Sequence, residues 1–196
     1  MIPRLLLLLA LIALLPSCTG TRSQAGGKPG YDINRRAYTA TDPATSSLIV
    51  SLFDQKAWLL NGSGEPVLST DVSTGVPGKE TPEGTFPVLE RLETKRSNRY
   101  GRFVDIESRE VIVKESWKHS GPPPPGTEYE GISMPYWMRL TWDGIGMHVG
   151  RFPKRTRASF GCIRVVGKAQ ELIYEKTRMG TPVTIVEGSL LPRFQQ

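Results

Sequence analysis

From residue 47 onward, short apolar runs alternate with clusters of Gly, Pro, Asn and Asp, which is the spacing of strands joined by turns. Residues 47–53 and 56–60 form two such runs, and Asp54-Gln55 between them suits a tight hairpin. Asn61-Gly62-Ser63-Gly64 then turns the chain into a third run at 67–73. Residues 84–89, 103–106 and 110–113 predict further short strands. So do 137–142 and 144–149, with a turn at Asp143-Gly144. One segment changes period: residues 167–178 place Ala169, Leu172, Ile173 and Lys176 at helical spacing, and Gly180 follows as a stop. Residues 181–186 close as a strand. The segment 116–131 holds four consecutive prolines at 122–125, which excludes a central strand and predicts a surface loop of polyproline character. The expected fold class is therefore mainly β, one sandwich or barrel with a single helix in its C-terminal half, spanning residues 47–188. Residues 189–196 are expected to be a tail.

The N-terminus departs from this pattern. Arg4 precedes an unbroken apolar run of eleven residues, 5–15, too short for a stable transmembrane helix, which needs about 20 residues. It fits the apolar region of a secretory signal over residues 1–17. The segment ends Leu15-Pro16-Ser17-Cys18-Thr19, which resembles a bacterial lipobox with Cys18 as the lipidated mature N-terminus. An ordinary cleaved signal is the other reading. Residues 18–46 are polar, rich in Gly, Ser, Thr and Arg, and predict a flexible tether between membrane and domain. Thr19 in place of an acidic residue after Cys18 points to the periplasmic face of the outer membrane in a Gram-negative host.

Charge adds little. The formal net charge is +6, and Arg4 would leave with a cleaved signal. A modest basic excess suits an anionic polymer or membrane surface but selects neither. There is no zinc spacing, no phosphate-cradling glycine loop and no internal repeat, so no metal, nucleotide cofactor or nucleic-acid partner is expected, and the chain reads as a monomer.

The chemistry centres on Cys162. The chain has two cysteines, and lipidation of Cys18 leaves Cys162 without a disulfide partner in an oxidising compartment. A thiol at its ordinary value is mostly protonated near neutrality, so a nucleophilic role needs a base within reach. His148, near the end of a predicted strand between Gly146 and Gly150, suits either a general base or a structural histidine. His119 in the polar insert reads as a solvated loop residue. The pairing predicts a Cys162 that reacts below the ordinary pH of a thiol. The backbone N–H groups of Phe160, Gly161 and Cys162 are candidates for an oxyanion hole. Arg151, Lys154, Arg155 and Arg157 form a cationic run that either captures carboxylates and lowers the thiol or is a solvated loop. Tyr136, Trp137 and Tyr100 are groove candidates that equally suit core positions.

Three stretches carry a resemblance: Met134-Pro135-Tyr136-Trp137-Met138, Gly144-Ile145-Gly146-Met147-His148, and Ser159-Phe160-Gly161-Cys162-Ile163-Arg164. With residues 72–75, 81–87 and 180–185 upstream and downstream, they resemble the L,D-transpeptidases of the YkuD type over residues 47–187. The resemblance implies acyl transfer on peptidoglycan stem peptides, with Cys162 as nucleophile and His148 as base. It also implies that Ser159, Gly161 and Arg164 shape the substrate pocket; Met134, Tyr136 and Tyr100 are further substrate-binding candidates. One position departs from the family pattern: Phe160 stands where the family usually has histidine. Two other readings follow from the same residues. Water in place of an amine acceptor would make the chain an L,D-carboxypeptidase or amide hydrolase. Loss of activity through Phe160 would leave a lipid-anchored, non-catalytic wall-binding protein.

Overall fold

The computed structural model describes residues 30–152 and 156–194. The expected signal at 1–17, the expected lipidation site Cys18 and most of the expected tether lie outside these residues. The last part of that tether is ordered rather than flexible. Tyr31–Ile33 forms β1, paired antiparallel with residues 68–70, and Arg35–Ala40 forms α1. Asn34 starts the helix by accepting the Ala37 N–H on its side chain at 3.1 Å. Tyr38 then anchors it, because its ring is buried and its hydroxyl reaches the Leu172 carbonyl and the Glu175 carboxylate, both at 3.0 Å.

β2 (Ser47–Ser51), β3 (Lys56–Leu60) and β4 (Pro66–Ser73) form the expected antiparallel meander, with Gln55 at positive φ in the tight turn. There follow β5 (Gly84–Pro87), β6 (Glu90–Leu92), β7 (Arg96–Asp105), β8 (Val111–Val113) and β9 (Thr127–Ser133). The site-bearing strands come next: β10 (Trp137–Arg139), β11 (Gly146–Val149) and β12 (Ile163–Val165). They lead into α2 (Gly167–Glu175), β13 (Pro182–Val186) and α3 (Leu191–Phe194). Ten strands make one curled mixed sheet in the order β5-β13-β2-β3-β4-β12-β11-β10-β6, with β1 beside β4. β8-β7-β9 make a separate small sheet. The fold class is mainly β, as the turn-and-strand spacing predicted.

The meander is buried on both faces, which explains why β2 and β3 are apolar without strict alternation. One face joins the main core of Leu48, Val50, Leu59, Val72, Met138, Met147, Ile163, Val165 and Ile185, closed by Ala169 and Ile173 of α2. The other face carries Ile49, Trp58 and Leu60, covered by Leu190, Leu191 and Phe194. Trp58 and Phe194 stack at 5.1 Å between ring centroids, so residues 189–194 are a packed flap and not a free tail. The insert also differs from expectation. Ser116–Lys118 is a single 3₁₀ turn, and the prolines are followed by β9, which pairs along β7. The proline run itself lies outside any strand.

Candidate active site

β11 and β12 run parallel and place Met147 opposite Ile163 and His148 opposite Arg164. Met147, Ile163 and Val165 turn into the core. Side chains alternate with period two, so His148, Arg164 and the preceding Cys162 project from the other face of the same strand pair. A strand spacing of ~4.8 Å and a rise of ~3.3 Å per residue put the Cys162 and His148 Cα atoms about 8 Å apart. A crossover of residues 150–162 is what lets two neighbours in the sheet be so distant in sequence.

The loop that carries Cys162 is strapped to the end of β4. The Ala158 and Ser159 N–H groups donate to the Thr74 carbonyl, and the Val76 N–H donates to the Ser159 carbonyl. Thr74 is itself clamped by Gln55, whose amide bonds both its backbone N–H and its hydroxyl. The Thr81 hydroxyl accepts the Gly75 N–H at 2.9 Å and donates to the Gly161 carbonyl at 2.7 Å. Gly161 sits at φ 110°, a conformation that favours glycine, and a Cβ there would meet Ile145 at 2.6 Å. A trans peptide points its two polar groups in opposite directions, so fixing the Gly161 carbonyl on Thr81 turns the Cys162 N–H away from Thr81. The Gly161 N–H instead donates to the Ser159 Oγ at 3.2 Å. Of the three amides expected in an oxyanion hole, that one is already engaged, which leaves Phe160 and Cys162.

The electrostatics favour a neutral resting pair. Nδ1 of His148 bonds the Val149 carbonyl at 2.8 Å, which leaves Nε2 as the proton acceptor. Burial lowers the imidazole to about 4; the Val149 carbonyl opposes this, and the Arg164 cation adds to it. Burial also pushes the Cys162 thiol up, against smaller opposing effects from the Gly146 N–H and the cations Arg164 and Arg139. The thiol donates to the Gly144 carbonyl at 3.6 Å. A thiol reactive below its ordinary pH, as the pairing had predicted, does not fit this environment.

Cys162 opens onto a cleft of about 350 Å³ lined by Lys79, Glu80, Lys95, residues 97–100, Met134, Trp137, Arg139, residues 142–145 and Phe160. Met134 and Tyr100 thus border the cleft onto which Cys162 opens. Tyr136, Ser159 and Arg164 do not line the cleft. Tyr136, at φ 52°, stacks on Tyr174 at 5.5 Å and gives its carbonyl to Gln170. Ser159 is 1% exposed and its hydroxyl donates to the Cys162 carbonyl, so it shapes the loop from beneath. Arg164 lies along Gly150, where a Cβ would meet its side chain at 2.6 Å. Gly146 likewise admits the Trp137 ring and the Met138 carbonyl. These two glycines make room for protein, not for substrate.

The described members of the cationic run, Arg151 and Arg157, do not line the cleft either. Lys154 and Arg155 lie outside the described residues, Arg157 pairs with Glu187 at 2.6 Å, and Arg151 is exposed away from the lining. His119 is exposed, with Nε2 3.0 Å from the Pro122 carbonyl. Sequence reasoning missed Thr81, Gln55 and Arg139, whose partners are distant in sequence. Arg139 is held by Glu90 at 3.3 Å, and the same Glu90 oxygen accepts the Trp137 indole N–H at 2.9 Å. Phe160 has a structural partner set: its ring is 5.1 Å from Tyr100 and 6.0 Å from Trp117, so it ties the small sheet and the insert to the loop that carries Cys162. Among the described residues, no group of three His, Cys, Asp or Glu side chains stands close enough to hold a metal ion.

The family model of the L,D-transpeptidase catalytic domain (YkuD) matches residues 45–185. Among solved structures, the fold is similar to an L,D-transpeptidase from Mycobacterium smegmatis, at 18% identity and a TM-score of 0.53, covering 72% of this chain and 58% of that one. It is similar to an L,D-transpeptidase (Yku) from Stackebrandtia nassauensis, at 19% identity and a TM-score of 0.53, covering 74% and 56%. An L,D-transpeptidase from Mycobacterium tuberculosis matches at 19% identity and a TM-score of 0.50, covering 73% and 58%. The matched region is thus less than two thirds of each of these chains, and at such identities the likeness concerns the fold. No curated protein matches the sequence.

Proposed function

Because this chain belongs to the L,D-transpeptidase catalytic domain family, we propose that it is a cysteine acyltransferase that joins peptidoglycan stem peptides through a Cys162 thioester. The observation that carries this reading is the parallel β11–β12 pair, which puts a cleft-facing thiol and an imidazole with an unengaged Nε2 on one sheet face. In the acylation step, Nε2 of His148 takes the thiol proton as Sγ attacks the carbonyl that precedes the terminal D-residue of a donor stem. The oxyanion is received by the Cys162 N–H, with the Phe160 N–H beside it. Collapse of the tetrahedral species breaks the amide bond, and the imidazolium returns the proton to the departing amine. An acceptor amine then attacks the thioester, gives its proton to His148, and the thiol is restored. Water in the acceptor's place would release a shortened stem instead.

We also infer, from residues 1–19 alone, export and lipid attachment at Cys18, which in a Gram-negative host would set the domain beside the wall on the periplasmic face of the outer membrane. Loss of membrane association in Cys18→Ala supports this; unchanged fractionation contradicts it. The activity is tested by incubating the full chain with purified wall sacculi beside Cys162→Ala. New crosslinks, or shortened stems, that need the thiol support the reading. Unaltered muropeptides with protein merely sedimenting on the sacculi would mean a binding module.

A further inference from the structure

One wall of the cleft is built differently from the rest. β7 and β9 pair at Arg96–Ser133 and again at Gly101–Gly131, so β7 carries three more residues than its partner between those points. The excess forms a bulge at residues 97–100 that leans over the cleft. It is held from within: Ser97 Oγ accepts the N–H groups of Arg99 at 3.2 Å and Tyr100 at 2.9 Å. The Tyr129 hydroxyl donates to the Ser97 carbonyl at 3.0 Å. Gly131 leaves the space this carbonyl fills, since a Cβ there would lie 2.0 Å from it. A backbone fixed in this way carries no ordering cost of its own on binding, which leaves only that of the side chains.

Basic side chains outnumber acidic ones around the cleft, where Lys79, Lys95, Arg99 and Arg139 stand with Glu80 and Asp143. Arg139 has Glu90 within 3.3 Å, and Lys79 stands next to Glu80. Lys95 and Arg99 line the cleft with no ion-pair partner among the described residues. The Arg99 guanidinium lies 5.5 Å from the Tyr100 ring centroid, so an aromatic face backs the cation and leaves its donors for a ligand. A guanidinium fork matches the two oxygens of a carboxylate, and an ammonium on the same cleft adds to the attraction. A primary amide in the same place offers one acceptor and turns N–H donors toward two cations, which is an unfavourable contact. The donor's scissile carbonyl has to reach Cys162 in the cleft that Lys95 and Arg99 line, so the donor is the peptide these cations meet.

Resting on the acyl-transfer reading above, we propose that Lys95 and the bulge at residues 97–100 form a carboxylate-recognition site that selects donor peptides bearing a free carboxylate beyond that of the departing residue, over the same peptides with that group amidated. Arg99 is exposed and salt screens it, so the preference is about tenfold in kcat/KM, expressed mainly in KM. The test uses the full chain and two synthetic peptide donors that differ only by carboxylate against carboxamide. Release of the departing residue is followed at low and high salt, in wild type, Arg99→Gln and Lys95→Gln. The expected result is a free-acid preference that high salt erodes and that either substitution reduces toward the amide's value. Equal turnover of both peptides, or a preference untouched by both substitutions, overturns the proposal. Calorimetric binding of the same peptides to Cys162→Ala separates the two claims. Free-acid binding that Arg99→Gln weakens upholds the site even where no acylation occurs, and equal or absent binding overturns it.

Discussion

Lowering the pH from about 7 to about 5 should weaken this fold through one buried side chain, His148. The imidazole ordinarily titrates at 6.5 and in the folded chain at about 4, because burial disfavours its charged form. As the pH falls, the unfolded chain binds this proton first, so stability is lost below 6.5 and levels off once the folded imidazole also protonates near 4. A gap of about 2.5 pH units, at ~1.36 kcal/mol each, sets a ceiling of about 3 kcal/mol, of which about 2 kcal/mol appears between pH 7 and pH 5. The window is chosen to isolate this group. Asp54, Glu80, Asp105 and Glu130 are held below their ordinary values, so the stability they contribute is lost only at lower pH. The assay is urea unfolding of wild type and His148→Gln at both pH values. At an m-value of ~2 kcal/mol per molar, the wild-type midpoint should fall by about 1 M, and that of His148→Gln by a small fraction of this. Equal shifts in the two proteins would refute a buried neutral imidazole at this position.

Iodoacetamide should alkylate Cys162 slowly at neutral pH and faster only toward alkaline pH, since burial raises the thiol; rapid reaction near pH 6 would contradict the electrostatics described here. Phe160→Ala removes the ring that packs on Tyr100 and Trp117, and should shift products from crosslinked stems toward hydrolysed ones by admitting water to the thioester, whereas Phe160→His should fold and keep or raise activity. A constant product ratio across the three proteins would mean that this ring does not govern water access. Thr81→Val leaves the Gly75 N–H and the Gly161 carbonyl without a shared partner, costing about 1–3 kcal/mol of stability. It should also lower kcat at least tenfold with little change in KM, which steady-state kinetics on the folded variant will show.

The strands that carry the core were legible from apolar runs bounded by turn residues, because the meander of β2 to β4 and the closing β13 keep hydrophobic positions close in sequence. β1, β9, β12 and the flap of α3 were not. β12 is only three residues long, and β9 mixes exposed Tyr129 and Ile132 with exposed Glu128 and Ser133, so neither has a periodicity to read. α1 was hidden in a polar segment whose order depends on Tyr38 reaching α2, a contact between residues 134 positions apart. Cys162 and His148 stood out as residue types, and their shared face follows from the parity of two parallel strands once the register is known. Thr81, Gln55 and Arg139 could not be read in advance, since each acts through a partner that only the curled sheet brings near.

The central claim is tested most directly by intact-mass spectrometry of the full chain mixed with a tetrapeptide donor and quenched in acid. Wild type should gain the mass of the donor acyl group without its terminal D-residue, on a peptide that contains Cys162. The adduct should be cleaved by hydroxylamine, as a thioester is, and should be absent from Cys162→Ala. Release of the terminal residue by Cys162→Ala at the wild-type rate, or an adduct on any other residue, would contradict the account.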